Sequence, residues 1–525
     1  MIVSRKSYRK GMVKVAIAYP APARIALQSL SIHILGRLVN DDPDAYPDFV
    51  FLDDEMSHTT KIRLKDFDIV LFSVHYELDY PRILRMMETN SINPWSSRRS
   101  LTDPLIVLGG PTLMANPEPM APFADLVLIG DAEVLIPSLL NNYHSYGKDL
   151  GKYIDTPGFY VPSHGKHTVE KVFVKDLTYS VGLIHDTAIS LRTSDEDPVL
   201  GRSAILEVMR GCPRSCLFCM ESFTQRPVRY ANINYIKEIV RRDVNDGIID
   251  RVSLIGLSVG DHPGFRDLME FLTKDLKINV SVPSLRIDTL DGDSLKLIAN
   301  GGQRVLTIAP ESSERLRRAL GKGFTDDRII DLAVKAMELG FTHLKLYFMV
   351  GLPGETIDDT KSIINLLLRL RNAGVKFSSS VNPWIPKPHT PLQWLPMATE
   401  EIIKQRTKML RDVQAHVEFS AYDALDAKVQ ALLSLGDRDV ANVIFEASLT
   451  SMNRGSWRRL LGKYNDLLIK YVYTQKPLNE KLPWSHIRIP GAEEQRLREL
   501  LINYAKEVGM NFQEKKIKYR NSEHS

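Results

Sequence analysis

The sequence predicts an α/β protein in which an N-terminal doubly wound parallel sheet is followed by a partial (β/α)6 TIM-like barrel and a helical C-terminal region. Three observations predict it. Uninterrupted apolar runs alternate with amphipathic stretches through about the first 150 residues. The alternation restarts near residue 204 and repeats six times. Beyond residue 398 only helical periodicity is left. Strands that are apolar throughout suit parallel sheets covered on both faces, whose ligands bind at the carboxyl ends of the strands. The expected divisions are 1–150 for the sheet, 151–200 for a linker, 201–397 for the barrel and 398–525 for the helical region.

The first strand is VKVAIAY at 13–19, with a helix over 24–39 after the Pro20 and Pro22 break. FDIVLFSV (67–74), PLIVLGGP (104–111) and ADLVLIGDAE (124–133) complete this series. In the linker, GFYVPS, KVFVKDL and DTAISL read as short extended pieces. The barrel strands are expected at 205–210, 251–258, 278–286, 304–311, 342–353 and 375–386. Helices are expected between them at 231–247, 264–275, 293–300, 313–321, 326–340 and 356–373. Four amphipathic stretches then follow, beginning at TEEIIKQRTKMLRDVQAHV, and the tail EKKIKYRNSEHS is expected to be disordered.

Totals restrict the function classes. At 525 residues the chain suits roughly two to four domains. Hydrophobic residues at 44% and charged residues at 25% are the composition of a soluble globular protein. A net charge of +4 does not by itself argue for nucleic acid. The segment VKVAIAYPAPARIAL contains Lys14, two prolines and Arg24, so it lacks a secretory apolar core. No apolar run approaches the roughly 20 residues of a membrane span, so a cytoplasmic protein is expected. All three cysteines lie within eight positions, which excludes a disulfide framework.

These cysteines carry the chemistry. GCPRSCLFC places Cys212, Cys216 and Cys219 at spacings of four and three on one loop after a buried strand. Thiolates suit cluster iron, and three of them on one loop can hold three irons of a 4Fe–4S cube. The fourth iron is left open for a small molecule, since there is no fourth cysteine. The alternative is a zinc site of three cysteines and a histidine, but no histidine lies near the loop in sequence.

EVMRGCPRSCLFC resembles the CxxxCxxC signature of the radical S-adenosylmethionine superfamily, placed after the first barrel strand. The resemblance implies S-adenosylmethionine bound at the open iron. It also implies reductive cleavage to a 5′-deoxyadenosyl radical, and a reductant such as ferredoxin or flavodoxin. APESSERLRRAL resembles the family's fourth-strand end, so Glu311 would approach the nucleoside or substrate. Arg286 in SLRID would bind the cofactor carboxylate. For Glu311 and Arg286 a barrel-mouth ion pair is the alternative. YFMVGLPGET resembles the segment that packs near adenine. LIGLSVGD departs from the family's Gly-Gly-Glu turn, leaving Ser258, Gly260 and Asp261 as the nearest substitutes.

GGPTLMANPEPMAPFADLVLIGDAE resembles the cobalamin-binding branch of that superfamily, which makes the N-terminal sheet of cobalamin-binding type. Gly109, Gly110 and Gly130 would let backbone approach the corrin. The DxHxxG pattern of other cobalamin proteins is absent. His75 and Tyr76 end the second predicted strand, where a lower axial group could lie; Tyr76 would cover that face of cobalt, and an ordinary loop histidine is the alternative for His75.

SSSVNPWIPKPHTPLQW, with Trp384, Lys387, His389 and Trp394, resembles a segment of a widespread subfamily. It is expected either to wall the substrate cavity or to form a rigid crossover. The leading function is a transferase that forms a C–C bond at an unactivated carbon by methyl transfer, on a protein side chain or small molecule. One alternative is cyclisation of archaeal tetraether membrane lipids, for which amphipathic C-terminal helices would bring the enzyme to the membrane periphery. The other is RNA modification, with basic runs at WRRLLGK and KKIKYR, although such runs are commonly solvated helix faces.

Overall fold

The computed structural model describes residues 6–178, 180, 203–283, 285–413 and 418–510. DTAISL and the tail EKKIKYRNSEHS lie outside them. The N-terminal sheet holds β1 (Val13–Tyr19), β2 (Ala45–Phe51), β3 (Ile69–Ser73), β4 (Leu105–Gly109), β5 (Leu126–Leu128) and β6 (Phe159–Tyr160). Their order is β2-β1-β3-β4-β5-β6, parallel except for β6. Chain direction across the sheet reverses between β1 and β3, and ligand clefts form at such a switch point.

Strand β2 was not expected. Pro47 and Asp48 interrupt its apolar run, yet all seven of its residues are buried. Proline is tolerated because β2 is an edge strand. Asp48 is compensated by hydrogen bonds from the Thr59 and Thr60 amides at 2.9 and 2.7 Å. The helix expected over 24–39 is two pieces, Ala23–Ala26 and Leu30–Asp41. KVFVKDL forms no strand; β7 (Val169–Glu170) precedes it, and Val172 makes one isolated bridge to Gly130.

The barrel is two parallel sheets. One contains β8 (Ser203–Glu207), β11 (Arg251–Ile255) and β12 (Asn279–Ser281). Between β8 and β11, the short antiparallel pair β9 (Met209–Arg210) and β10 (Arg229–Tyr230) closes the base of the cysteine loop. The other sheet contains β13 (Val305–Glu311), β14 (His343–Val350), β15 (Phe377–Pro383) and β16 (Phe419–Ala421). β16 comes from beyond residue 398 and adds a seventh parallel strand to the six expected.

The C-terminal helices turn their apolar faces inward. Trp457, Leu460 and Leu461 are buried on Arg454–Lys463, as are Leu497, Leu501 and Tyr504 on Glu494–Glu507. These faces are therefore spent on the core, which removes the reason given for a lipid-surface role. Arg458, Arg459 and Lys463 form the exposed face of WRRLLGK, while KKIKYR lies outside the described residues. No helix among the described residues is long and apolar enough to cross a membrane.

Candidate functional site

Cys212 and Cys216 are buried and Cys219 is partly exposed. The loop that carries them is tightly anchored. Gly211 sits at φ +85°, where a Cβ would stand 2.7 Å from the Gln225 carbonyl, so only glycine enters the loop here. The Leu217 amide donates to the Leu320 carbonyl at 3.1 Å, and the Cys219 amide to that of Cys216 at 3.0 Å. Arg226 Nη2 donates to the Arg214 carbonyl at 3.1 Å and to Ser215 Oγ at 2.7 Å. Although the Cys219 residue is partly exposed, its sulfur is enclosed by neighbouring atoms, and this desolvation pushes its thiol up to about 12; burial raises that of Cys212 as well. Buried sulfur of this kind becomes thiolate on binding a cation, which fits cluster iron. Among the described residues no group of three or more His, Cys, Asp or Glu side chains is placed to hold a single metal ion.

Two other residues singled out in the sequence reach this loop. Arg286 Nη1 donates to Cys216 Sγ at 3.3 Å, and its Nε to Asp288 Oδ1 at 3.0 Å. Glu311 ends β13 at φ +66°, a left-handed conformation uncommon for glutamate, where the β13–β14 register shifts. Lys322 Nζ meets its Oε1 at 2.5 Å and lies 5.9 Å from the Phe218 ring of the cysteine loop. At the barrel mouth Glu311 is thus paired with Lys322 and Arg286 with Asp288. Asp261 accepts from Ser258 Oγ at 2.6 Å and pairs with Arg214.

A second feature lies at the carboxyl ends of the N-terminal strands. About 970 Å³ of space, partly open to solvent, is lined by Leu30, Ser31, His75, Gly109, Gly110 and Gly130 on the sheet side. On the barrel side it is lined by Glu207 and Arg210. The glycines differ in their reasons. Gly110 (φ +119°) and Gly130 (φ +142°) are demanded by packing, since a Cβ would come within 2.2 Å of the Val74 and Val172 carbonyl oxygens. Only Gly109 faces open room, its nearest neighbour being Leu128 Cβ at 3.9 Å. His75 lines the cavity with its side chain accessible from it, and partial desolvation by the surrounding walls lowers its pKa to about 4. Its Nε2 shares hydrogen bonds with Ser73 Oγ at 3.0 Å and Ser31 Oγ at 3.1 Å. Tyr76 is placed differently: its hydroxyl meets Tyr422 of the C-terminal region.

The segments with the strongest motif character are seams. Asn116 Nδ2 donates to the Ser434 and Gly436 carbonyls, both at 2.9 Å. Burial pushes the Glu118 carboxyl up, but His486 Nε2 at 3.2 Å and hydrogen bonds from Tyr160 and Arg438 outweigh it and hold its pKa down to about 2. Lys387 pairs with the buried Glu77, which also accepts from Gln430 at 2.8 Å. Trp384, His389, Gln393 and Trp394 are all buried. PKPHTPLQW thus stitches the barrel to the sheet and to the C-terminal helices, and its His389 and Gln393 also line a cavity with Trp484 and Leu497.

His389 yields a pH prediction. It is buried, and desolvation lowers its pKa to about 4. Its folded pKa lies below the unfolded value near 6.5, so stability present at pH 7 is lost as pH falls from about 6.5 towards 4. About 2 kcal/mol should disappear by pH 5 from this residue alone. Denaturant unfolding of His389→Asn, which tolerates the φ of +55° at this position, should show a flatter pH dependence between 7 and 5. An unchanged slope would contradict the assignment.

Comparison with known proteins agrees with this geometry. Residues 206–367 match the family described as "Radical SAM superfamily", and residues 31–162 match "Radical SAM proteins, N-terminal". An uncharacterized protein of Methanocaldococcus jannaschii is 31% identical over 86% of this chain and 96% of its own. A tRNA-2-methylthio-N(6)-dimethylallyladenosine synthase of Sulfurihydrogenibium sp. is 26% identical over 41% of this chain, which spans only about half (51%) of that enzyme. Among solved structures, the radical S-adenosylmethionine methyltransferase TsrM from Kitasatospora setae, with cobalamin and a 4Fe–4S cluster bound, has a TM-score of 0.51. It covers 88% of this chain and 99% of its own at 12% identity, a likeness of fold.

Proposed function

The chain belongs to the radical S-adenosylmethionine superfamily, and from that premise we propose that it is a cobalamin-dependent member that forms a carbon–carbon bond at an unactivated carbon by methyl transfer. The observation that carries the reading is the position of the cavity. Its lining runs from the strand ends of the N-terminal sheet to Glu207 and Arg210, and Arg210 is two residues from Cys212. Cys212, Cys216 and Cys219 would hold a 4Fe–4S cluster. Arg286 and Glu311, at the barrel mouth, would face S-adenosylmethionine, and the apolar cavity wall with Gly109 would face cobalamin. Together these groups supply one-electron chemistry and a transferable methyl group. The protein's part is to hold them in register and to keep water out; ferredoxin or flavodoxin is the expected donor.

Anaerobic protein with an intact cluster, S-adenosylmethionine and dithionite should release 5′-deoxyadenosine. No 5′-deoxyadenosine under those conditions would reject the reading. The RNA alternative draws on the relatives that modify tRNA, and nucleoside mass spectrometry of a deletion strain distinguishes it. Lipid and protein mass spectrometry of the same strain separates cyclisation from methylation.

A further inference from the structure

We infer that Arg210 is a positioning residue that fixes the N-terminal sheet's ligand loop against the cysteine loop, and so sets the relative placement of the two cofactor sites. The inference rests on the proposed cobalamin reading for the identity of the second site, but its geometry stands apart from it.

The guanidinium of Arg210 is gripped from two sides. On the barrel side, Nε and Nη2 donate to the two oxygens of Glu207 at 2.9 and 2.7 Å. On the sheet side, Nη1 and Nη2 donate to the two oxygens of Glu133 at 3.1 and 2.8 Å, and Nη1 lies 3.3 Å from Asp131 Oδ2. Glu207 ends barrel strand β8, while Asp131 is the N-cap of the helix Ala132–Tyr146 that follows β5 and Glu133 lies in its first turn. Asp131, Glu133, Glu207 and Arg210 all line the cavity. One planar fork therefore spans the boundary between the sheet and the barrel at the cavity wall, and makes bidentate bonds in both directions.

Arg229 adds a second tie. Its Nη1 donates to Asp131 Oδ2 at 2.5 Å, and its Nη2 to the Gln225 carbonyl at 3.2 Å. Arg210 and Arg229 are cross-strand partners in the β9–β10 pair. The next residue, Gly211, packs against that same Gln225 carbonyl, and Cys212 follows. The ion pairs thus connect the sheet turn to the first cysteine through a handful of rigid contacts.

The side chains of Arg210, Asp131, Glu133 and Glu207 are at most 11% exposed. Removing one member of such a buried group leaves uncompensated charge, so the turn must move. Lysine keeps the charge but has no planar fork and cannot reach two carboxylates bidentately. Arg210→Lys therefore separates geometry from charge.

The test uses protein reconstituted anaerobically with iron, sulfide and hydroxocobalamin, whose cobalt(III) is then reduced by one electron to cobalt(II) with a mild chemical reductant. Two quantities are read: the affinity for hydroxocobalamin, and the change in cobalt(II) spin relaxation when the cluster is reduced. Arg210→Lys and Arg210→Met should keep the iron content, bind hydroxocobalamin about tenfold more weakly, and lose much of the spin coupling in whatever cobalamin they retain. Glu133→Gln, nearly isosteric, should show the same effects at smaller size, and it decides the matter if the Arg210 variants do not fold. Wild-type affinity and coupling in all variants that fold would overturn the inference alone. Absence of hydroxocobalamin uptake by the wild-type protein would overturn the cobalamin reading and this inference with it.

Discussion

Replacing Cys216 with alanine should leave a folded protein that holds no 4Fe–4S cluster and turns nothing over. The loop does not need this sulfur for its shape. Gly211 packs on Gln225, the Leu217 amide bonds to Leu320, and Arg226 braces Arg214 and Ser215. Alanine removes one buried sulfur and the Arg286 contact at 3.3 Å, a local loss on the order of 1 kcal/mol. The cluster cannot survive the same change, because two thiolates then face a site that needs three. Iron should fall from about four per chain to near zero, with 5′-deoxyadenosine formation abolished and the thermal midpoint close to that of cluster-free wild-type protein. Anaerobically purified wild-type protein with one zinc per chain and no iron would contradict the assignment, as would a variant that keeps its iron.

Legibility in the sequence followed the physics of each segment. Strands β3 and β4 and the centre of β1 announce themselves because burial on both faces demands apolar runs, whereas β13 and β14 alternate buried with more exposed positions and β15 is polar in its middle. The helix Ala424–Leu435 escaped because it is buried nearly all round and so lacks an amphipathic period. β2 escaped because Pro47 and Asp48 mask an edge strand. The three cysteines stand out by spacing alone, and the structure holds them on one anchored loop.

The cavity wall was only half legible. Glycines at strand ends marked the sheet side, but their positive φ values serve packing against Val74 and Val172. ANPEP and PKPHTPLQW carry strong motifs, yet Asn116, Glu118, Lys387 and Gln393 face partners more than 90 positions away or on other domains' elements. The Glu133–Arg210–Glu207 bridge gave no sequence signal. Glu133 and Arg210 are 77 positions apart, and an acid or an arginine at a strand end has no spacing that names its partner.

Gly109→Phe should abolish hydroxocobalamin uptake while sparing the cluster. Gly109 extends β4 in register with Ser73 and Leu128, and its φ lies outside the left-handed region. A side chain is therefore sterically allowed, and phenylalanine suits a strand. Its Cβ would meet only Leu128 at 3.9 Å, so the ring extends into the cavity space. Affinity should fall more than about tenfold, at least 1.4 kcal/mol, with iron content and thermal midpoint close to wild type. Gly110→Ala is the contrasting control. At φ +119° its Cβ would stand 2.2 Å from the Val74 carbonyl oxygen, so it should lower global stability by about 2 kcal/mol or more. Wild-type uptake by Gly109→Phe would remove cobalamin from this cavity and leave the cluster assignment standing. In wild-type protein, the cobalt(II) spectrum should lack nitrogen splitting from a protein imidazole. His75 Nε2 is already engaged by Ser73 and Ser31, and Tyr76 is turned to Tyr422. Splitting that disappears in His75→Phe would reverse that assignment and make His75 the ligand.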